Sequence, residues 1–167
     1  MTQATDIAAI DTGTTLVGGP PDDIARIYQQ VPGSQQGTGQ MSDFWMIPCS
    51  SDVTVTMSFG GPQWQISPED FNAGALQGSN SMCMGAFFAV ELPASSPRKW
   101  IVGDTFLKNV YSVFRFQPPA VGFAQLSSVA LGMNDVDGPP PTPTIRSANL
   151  VSNNGTSSGA AGQRQRR

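Results

Sequence analysis

The sequence predicts an all-β fold, mainly β with two or three short helices, and three observations predict it. Only 13% of the 167 residues are charged, while Gly (18) and Pro (14) are frequent. Soluble domains usually carry about a quarter charged residues, and an excess of turn formers favours short strands and loops over long helices. Residues 53–59 alternate apolar and polar, and 63–66 alternate again beyond Gly60-Gly61-Pro62, the pattern of a hairpin of half-buried strands. From Gly138 the chain turns to Pro, Ser, Gly and Asn and contains no aromatic residue, so it cannot bury enough apolar surface to fold. Residues 1–128 read as the folded unit and 129–167 as a flexible tail.

Taken in order, Ile7 to Ile10 is an apolar run that reads as a buried strand ending at Asp11. Asp11-Thr12-Gly13-Thr14-Thr15 makes a tight turn, Leu16-Val17 resumes the strand, and Gly18-Gly19-Pro20-Pro21 breaks it. Pro21 followed by Asp22 and Asp23 opens a helix over residues 22–30, the acids lying where the helix dipole favours them. Ile24, Ile27, Tyr28 and Val31 share one face of it. Residues 44–48 form a strand delivering Cys49, and Ser67-Pro68-Glu69-Asp70-Phe71 is a capped helical turn. Residues 82–92 hold Cys83 and an apolar strand. Trp100-Ile101-Val102 is a strand ending at Gly103, with Asp104 as N-cap of a short helix over 104–109. Strands at 110–116 and 121–124, joined through Pro118-Pro119, close the folded unit.

Composition removes several function classes. The net charge is −3 with no basic stripe, which excludes nucleic acid as a partner class. Histidine is absent, which removes Ser–His and Cys–His nucleophile pairs and most zinc sites; acid–base work then falls to carboxylates, Lys or Tyr. No metal or cofactor is implied. No window of 18 apolar residues exists to span a membrane. The polar start, Met1 to Asp6, lacks the basic and apolar regions of a signal peptide, so a chain that otherwise reads as secreted is expected to be missing its beginning. The two cysteines, Cys49 and Cys83, fit either one disulfide or two buried thiols. Asn154-Gly155-Thr156 is a glycosylation sequon, and the last residues, 163–167, are weakly basic.

Asp11 is the candidate for chemistry. It is a carboxylate at the end of an apolar strand, where burial would raise its pKa and the hydroxyls of Thr12, Thr14 and Thr15 could hold it in place. Gly13 lets the backbone approach closely. By itself Asp-Thr-Gly is a weak signal, since most such triplets are Asx turns. About ninety residues on, Trp100-Ile101-Val102-Gly103-Asp104-Thr105-Phe106-Leu107 leads into Tyr111-Ser112-Val113-Phe114 and then Val121-Gly122-Phe123-Ala124. Together with the first motif, this resembles the C-terminal lobe of the pepsin-like aspartic proteases over residues 7–127, of a fungal type. In that family the second active-site motif is two hydrophobics followed by Asp-Thr-Gly-Thr-Thr/Ser, and a hydrophobic-hydrophobic-Gly lies beside it in a psi-shaped loop.

The resemblance implies a single lobe of that mainly β fold. Asp11 matches the catalytic aspartate, Thr12 the threonine that grips the partner lobe, and Gly13 the glycine whose backbone bonds the outer carboxylate oxygen and nearby substrate. Thr14 matches the hydroxyl that bonds the aspartate from outside, with Thr15 beside it. Ile101, Val102 and Gly103 match structural positions, and Asp104 a helix cap behind the site. The family's disulfide implies that Cys49 and Cys83 are paired. Peptides or proteins are the implied substrates, and a secretory or vacuolar compartment the implied location.

Hydrolysis in this family uses two carboxylates sharing one proton, one activating water and the other protonating the scissile carbonyl. This sequence contains no second Asp-Thr/Ser-Gly and no flap tyrosine, Tyr28 and Tyr111 lying elsewhere. The first strands of its own lobe are likewise expected to be missing. The chain is therefore expected to need an N-terminal lobe with the second aspartate and to be inactive alone. The other readings are a homodimer that completes the pair, as in retroviral-type proteases, and a remnant lobe that binds peptides or proteins without cleaving them.

Overall fold

Eleven strands and three short α-helices make up the computed structural model, which describes residues 7–76, 78–79 and 81–130. The sequon at Asn154, the segment 163–167 and all but the first two residues of the expected tail lie outside the described residues.

The apolar run forms β1 (Ile7–Ile10), and β2 (Val17–Gly19) follows the Asp11 turn. The strand does not break at Gly18 as expected. Gly18 and Gly19 are buried and continue β2, because a Cβ at either would strike the rings of Phe88 and Trp100, so only glycine lets the strand lie beneath them. Pro20 ends the strand, and α1 (Pro21–Tyr28) starts at once with Asp22 and Asp23 in its first turn. Its apolar stripe buries Ile24 and Tyr28 fully, with Val31 just beyond the helix.

A two-residue strand, β3 (Gln35–Gln36), then pairs with β4 (Phe44–Pro48) across a single 3-10 turn at Gly39–Met41. The expected hairpin is β5 (Val55–Ser58) with β6 (Gln63–Ile66), shorter at its start than the alternating pattern. Then come α2 (Pro68–Phe71), β7 (Asn72–Ala75), β8 (Met82–Ala89), β9 (Arg98–Val102), α3 (Asp104–Leu107), β10 (Tyr111–Arg115) and β11 (Ala120–Ala124). Strands β3 and β7 carry no alternating apolar signal, and pairing with β4 and β8 makes them strands.

Seven strands form one mixed sheet in the order β1-β9-β2-β8-β4-β3, with β7 added against β8. Cys49 and Cys83 form a disulfide. It ties the end of β4 to β8 across 34 residues of chain, which stabilises the fold by roughly 2–4 kcal/mol. The hairpins β5–β6 and β10–β11 are separate two-stranded sheets. A cluster of Phe59, Trp64, Phe106 and Phe123, with centroids 5.1–6.4 Å apart, joins both hairpins to α3.

The ladder between β4 and β8 is broken at one point. Between the pairs Phe44↔Phe88 and Met46↔Met84, β4 advances two residues while β8 advances four, so Trp45 stands opposite three residues. Tyr28 fills the gap. Its hydroxyl donates to the Phe87 carbonyl at 2.8 Å and accepts from the Phe87 N–H at 3.0 Å, while its ring stacks on Trp45 and Phe71. Burial pushes the phenol far above its ordinary pKa and keeps it neutral.

Tyr28→Phe keeps the ring but leaves a buried N–H and C=O unpaired, so it should lower unfolding free energy by about 2 kcal/mol. Urea unfolding of the variant beside the parent measures this. A loss below about 0.5 kcal/mol would mean that other donors close the gap.

Candidate active site

Asp11 lies where three chain segments meet. Strand β9 runs between the two strands that flank the Asp11 turn, parallel to β1 and antiparallel to β2. Ile101 and Val102 each pair with both neighbours, Ile101 with Ala9 and Gly18, Val102 with Ile10 and Val17. The Val102 carbonyl accepts the Asp11 N–H at 2.9 Å, extending the ladder to the motif's first residue.

The carboxylate itself is exposed. The Gly13 N–H donates to Oδ1 at 2.9 Å and the Thr14 hydroxyl donates to Oδ2 at 2.7 Å. These two bonds, the Thr14 hydroxyl first and the Gly13 amide second, hold its pKa below the ordinary aspartate value, the small effect of desolvation working the other way. This corrects the expectation that burial raises it. Nor is β1 the buried strand expected: Ile7 is exposed and Ala8 to Ile10 are half-buried, and the Asp11 side chain leaves the strand's end toward solvent. Of the three threonine hydroxyls expected around it, only that of Thr14 reaches the carboxylate among the described residues. Thr12 is exposed, and Thr15 contributes its backbone carbonyl instead.

The turn is clamped from behind by the start of α3. Asp104 N–H donates to the Thr14 carbonyl at 2.8 Å and Thr105 N–H to the Thr15 carbonyl at 2.9 Å. The Thr105 hydroxyl adds a second bond to the Thr15 carbonyl at 3.1 Å. A Cβ on Gly103 would lie 2.0 Å from the Thr14 oxygen, so the clamp needs glycine there. Asp104 is therefore not the N-cap. Gly103 occupies that place, no side chain caps the helix, and Asp104 is its first residue. The amides that a side-chain cap would have satisfied are taken by the turn's carbonyls.

The structure thus brings Asp11, Gly13, Thr14, Thr15, Val102, Gly103 and Asp104 together. Thr105 was missed because a Thr inside Asp-Thr-Phe-Leu has no local signal of what its hydroxyl reaches 90 residues away. Cys49 and Cys83 belong to the β4–β8 side of the sheet. Among the described residues no group of three or more His, Cys, Asp or Glu side chains could hold a metal ion, and no helix is long and apolar enough to cross a membrane.

The sequence model of the eukaryotic aspartyl proteases matches residues 1–126. The chain is 46% identical over 129 residues to the major aspartyl peptidase 1 of Cryptococcus neoformans, covering 74% of this chain and 26% of that protein. It is 34% identical over 122 residues to an aspartic protease of Phaffia rhodozyma, 71% of this chain and 29% of the other. To human cathepsin D it is 32% identical over 121 residues, 71% of this chain and 28% of the other. The chain spans about a quarter of the length of these relatives.

The two bonds to the carboxylate make a pH prediction. A folded-state pKa held below the unfolded value adds stability above the unfolded value, and that contribution is lost as pH falls through the lowered value. Thr14→Val removes the larger cause, so the Asp11 titration should move up toward the ordinary aspartate value. Carboxyl carbon NMR across the acid range measures the shift. An unchanged midpoint in the folded variant would show that Thr14 does not set it.

Proposed function

This chain belongs to the eukaryotic aspartyl protease family, whose members act on peptides, and from that premise we propose that it supplies one of two catalytic carboxylates of an aspartic endopeptidase. The observation that carries this reading is Asp11: an exposed, rigidly oriented carboxylate at the edge of the clamped turn, with donors on both oxygens. Those donors favour its ionised form. When a second carboxylate stands a few ångströms away the two cannot both ionise, and the shared proton goes to the carboxylate with fewer donors. Asp11 then takes a proton from the attacking water, while the protonated partner donates to the scissile carbonyl. The pair titrates as a unit.

Within the 167 residues Asp-Thr-Gly occurs once, so the second aspartate is assigned to a separate lobe. The β10–β11 hairpin supports a partner of that kind. Tyr111, Val113, Phe114, Phe116 and Val121 are exposed on it, apolar surface of the sort that a partner covers. Thr12, exposed beside Asp11, is assigned to contact with that lobe, Gly13 and Thr14 to orienting the carboxylate, and Ile101 to Gly103 to supporting the turn. Residues 1–128 are assigned to this lobe and 129–167 to a tail beyond it. The disulfide suits an oxidising compartment, and the secretory pathway or a vacuole is the proposed location.

The test is cleavage of a denatured protein at about pH 4, where such a pair shares one proton. It compares the chain alone with the chain joined to a lobe carrying another Asp-Thr-Gly. The joined protein should cleave, be blocked by a pepstatin-type inhibitor, and lose activity on the order of 10³-fold or more with Asp11→Asn. Cleavage that survives Asp11→Asn would remove the catalytic role. Inhibitable, Asp11-dependent cleavage by the chain alone would mean that two copies complete the pair.

A further inference from the structure

We propose that Thr105 is a positioning residue for Asp11, acting through Thr15 and Thr14; its relevance to catalysis rests on the role assigned above to Asp11. Thr105 is only 4% exposed, a position where valine would fill the same volume, so its hydroxyl is not there for packing. That hydroxyl and the residue's own N–H donate to one oxygen, the Thr15 carbonyl, at 3.1 and 2.9 Å. Two donors arriving from different directions fix the orientation of that peptide as well as its distance.

The preceding peptide is fixed by Asp104 N–H on the Thr14 carbonyl at 2.8 Å. The peptides on both sides of Thr15 are thus held, the Thr14 N–H donates to the Asp11 carbonyl at 3.3 Å and holds the peptide before Thr14, and the Thr14 hydroxyl meets Asp11 Oδ2 at 2.7 Å. The clamp is itself anchored. The Thr105 carbonyl accepts from Asn109 Nδ2 at 2.9 Å. Asn109 also donates to Asp70 Oδ2 at 2.8 Å and accepts from the Ser67 N–H at 3.1 Å. Asn109 is buried, so a continuous run of hydrogen bonds ties the start of α2 to the carboxylate of Asp11 through Thr105.

The experiment is a carboxyl carbon NMR titration of Asp11 in the full 167-residue chain, comparing Thr105→Val and Thr105→Ser with the parent. Thr105→Val should raise the Asp11 midpoint, in the same direction as Thr14→Val and by less, because the Thr105 N–H remains. Thr105→Ser keeps the hydroxyl and should restore the parent midpoint. A folded Thr105→Val chain with the parent midpoint overturns the proposal. If that variant does not fold, Thr105→Ala is titrated by the same criterion. Failure of both to fold while Thr105→Ser folds assigns the hydroxyl to stability and overturns the proposal as well. The titration needs no catalysis, so a joined enzyme that cleaves despite Asp11→Asn would refute the catalytic reading of Asp11 without changing the result for Thr105.

Discussion

The capping of α3 by the Asp11 turn is the constraint on which the site depends. A four-residue helix is too short to persist on its own, and its first amides must find acceptors. Here they find the carbonyls of Thr14 and Thr15. The turn in return gains fixed peptides, and the carboxylate gains a fixed platform. Everything nearby serves this exchange. Strand β9 lies between β1 and β2 and delivers Gly103 to the point of contact. Gly103 allows an approach that no side chain would permit. Phe106, one turn along, is fully buried among Phe59 and Phe123 and prevents the helix from swinging away.

That arrangement explains why two motifs so far apart in sequence carried the family resemblance only as a pair. Asp-Thr-Gly alone describes a turn, and hydrophobic-hydrophobic-Gly alone describes the end of a core strand. Each is incomplete physically as well: the turn has free carbonyls and the helix has free amides. Apolar patterning located β1, α1, the β5–β6 hairpin and β9. It could not locate β3 or β7, whose strand character comes from neighbours, nor the continuation of β2 through Gly18 and Gly19, where the missing side chains are what the packing requires.

At the site, the turn chemistry of Gly13 and Thr14 was legible because it is local, within three residues of Asp11. Exposure was not. An apolar run argues for a buried strand, but says nothing about which way the side chain at its end will point. Asp104 was misread for a related reason. An acid before Thr-Phe-Leu looks like a cap, and only the long-range arrival of two carbonyls moves the cap position to Gly103. Tyr28 was placed correctly on the buried face of α1, yet its hydroxyl's work, closing the gap in the β4–β8 ladder, depends on a bulge that no local pattern announces.

The electrostatics of Asp11 carry a trade-off. Donors on both oxygens orient the carboxylate and favour its charge, but they also lower its proton affinity and so weaken it as a base. A single carboxylate so placed is well aimed and poorly basic. Bringing a second carboxylate close reverses the second property without loosening the first, because like charges raise the proton affinity of the pair, while the bonds from Gly13 and Thr14 stay where they are. Orientation can therefore be built into one lobe through local hydrogen bonds. Basicity in the useful range cannot, since it is a property of two acids held together, and the rigid turn around Asp11 is what would make such a pairing reproducible.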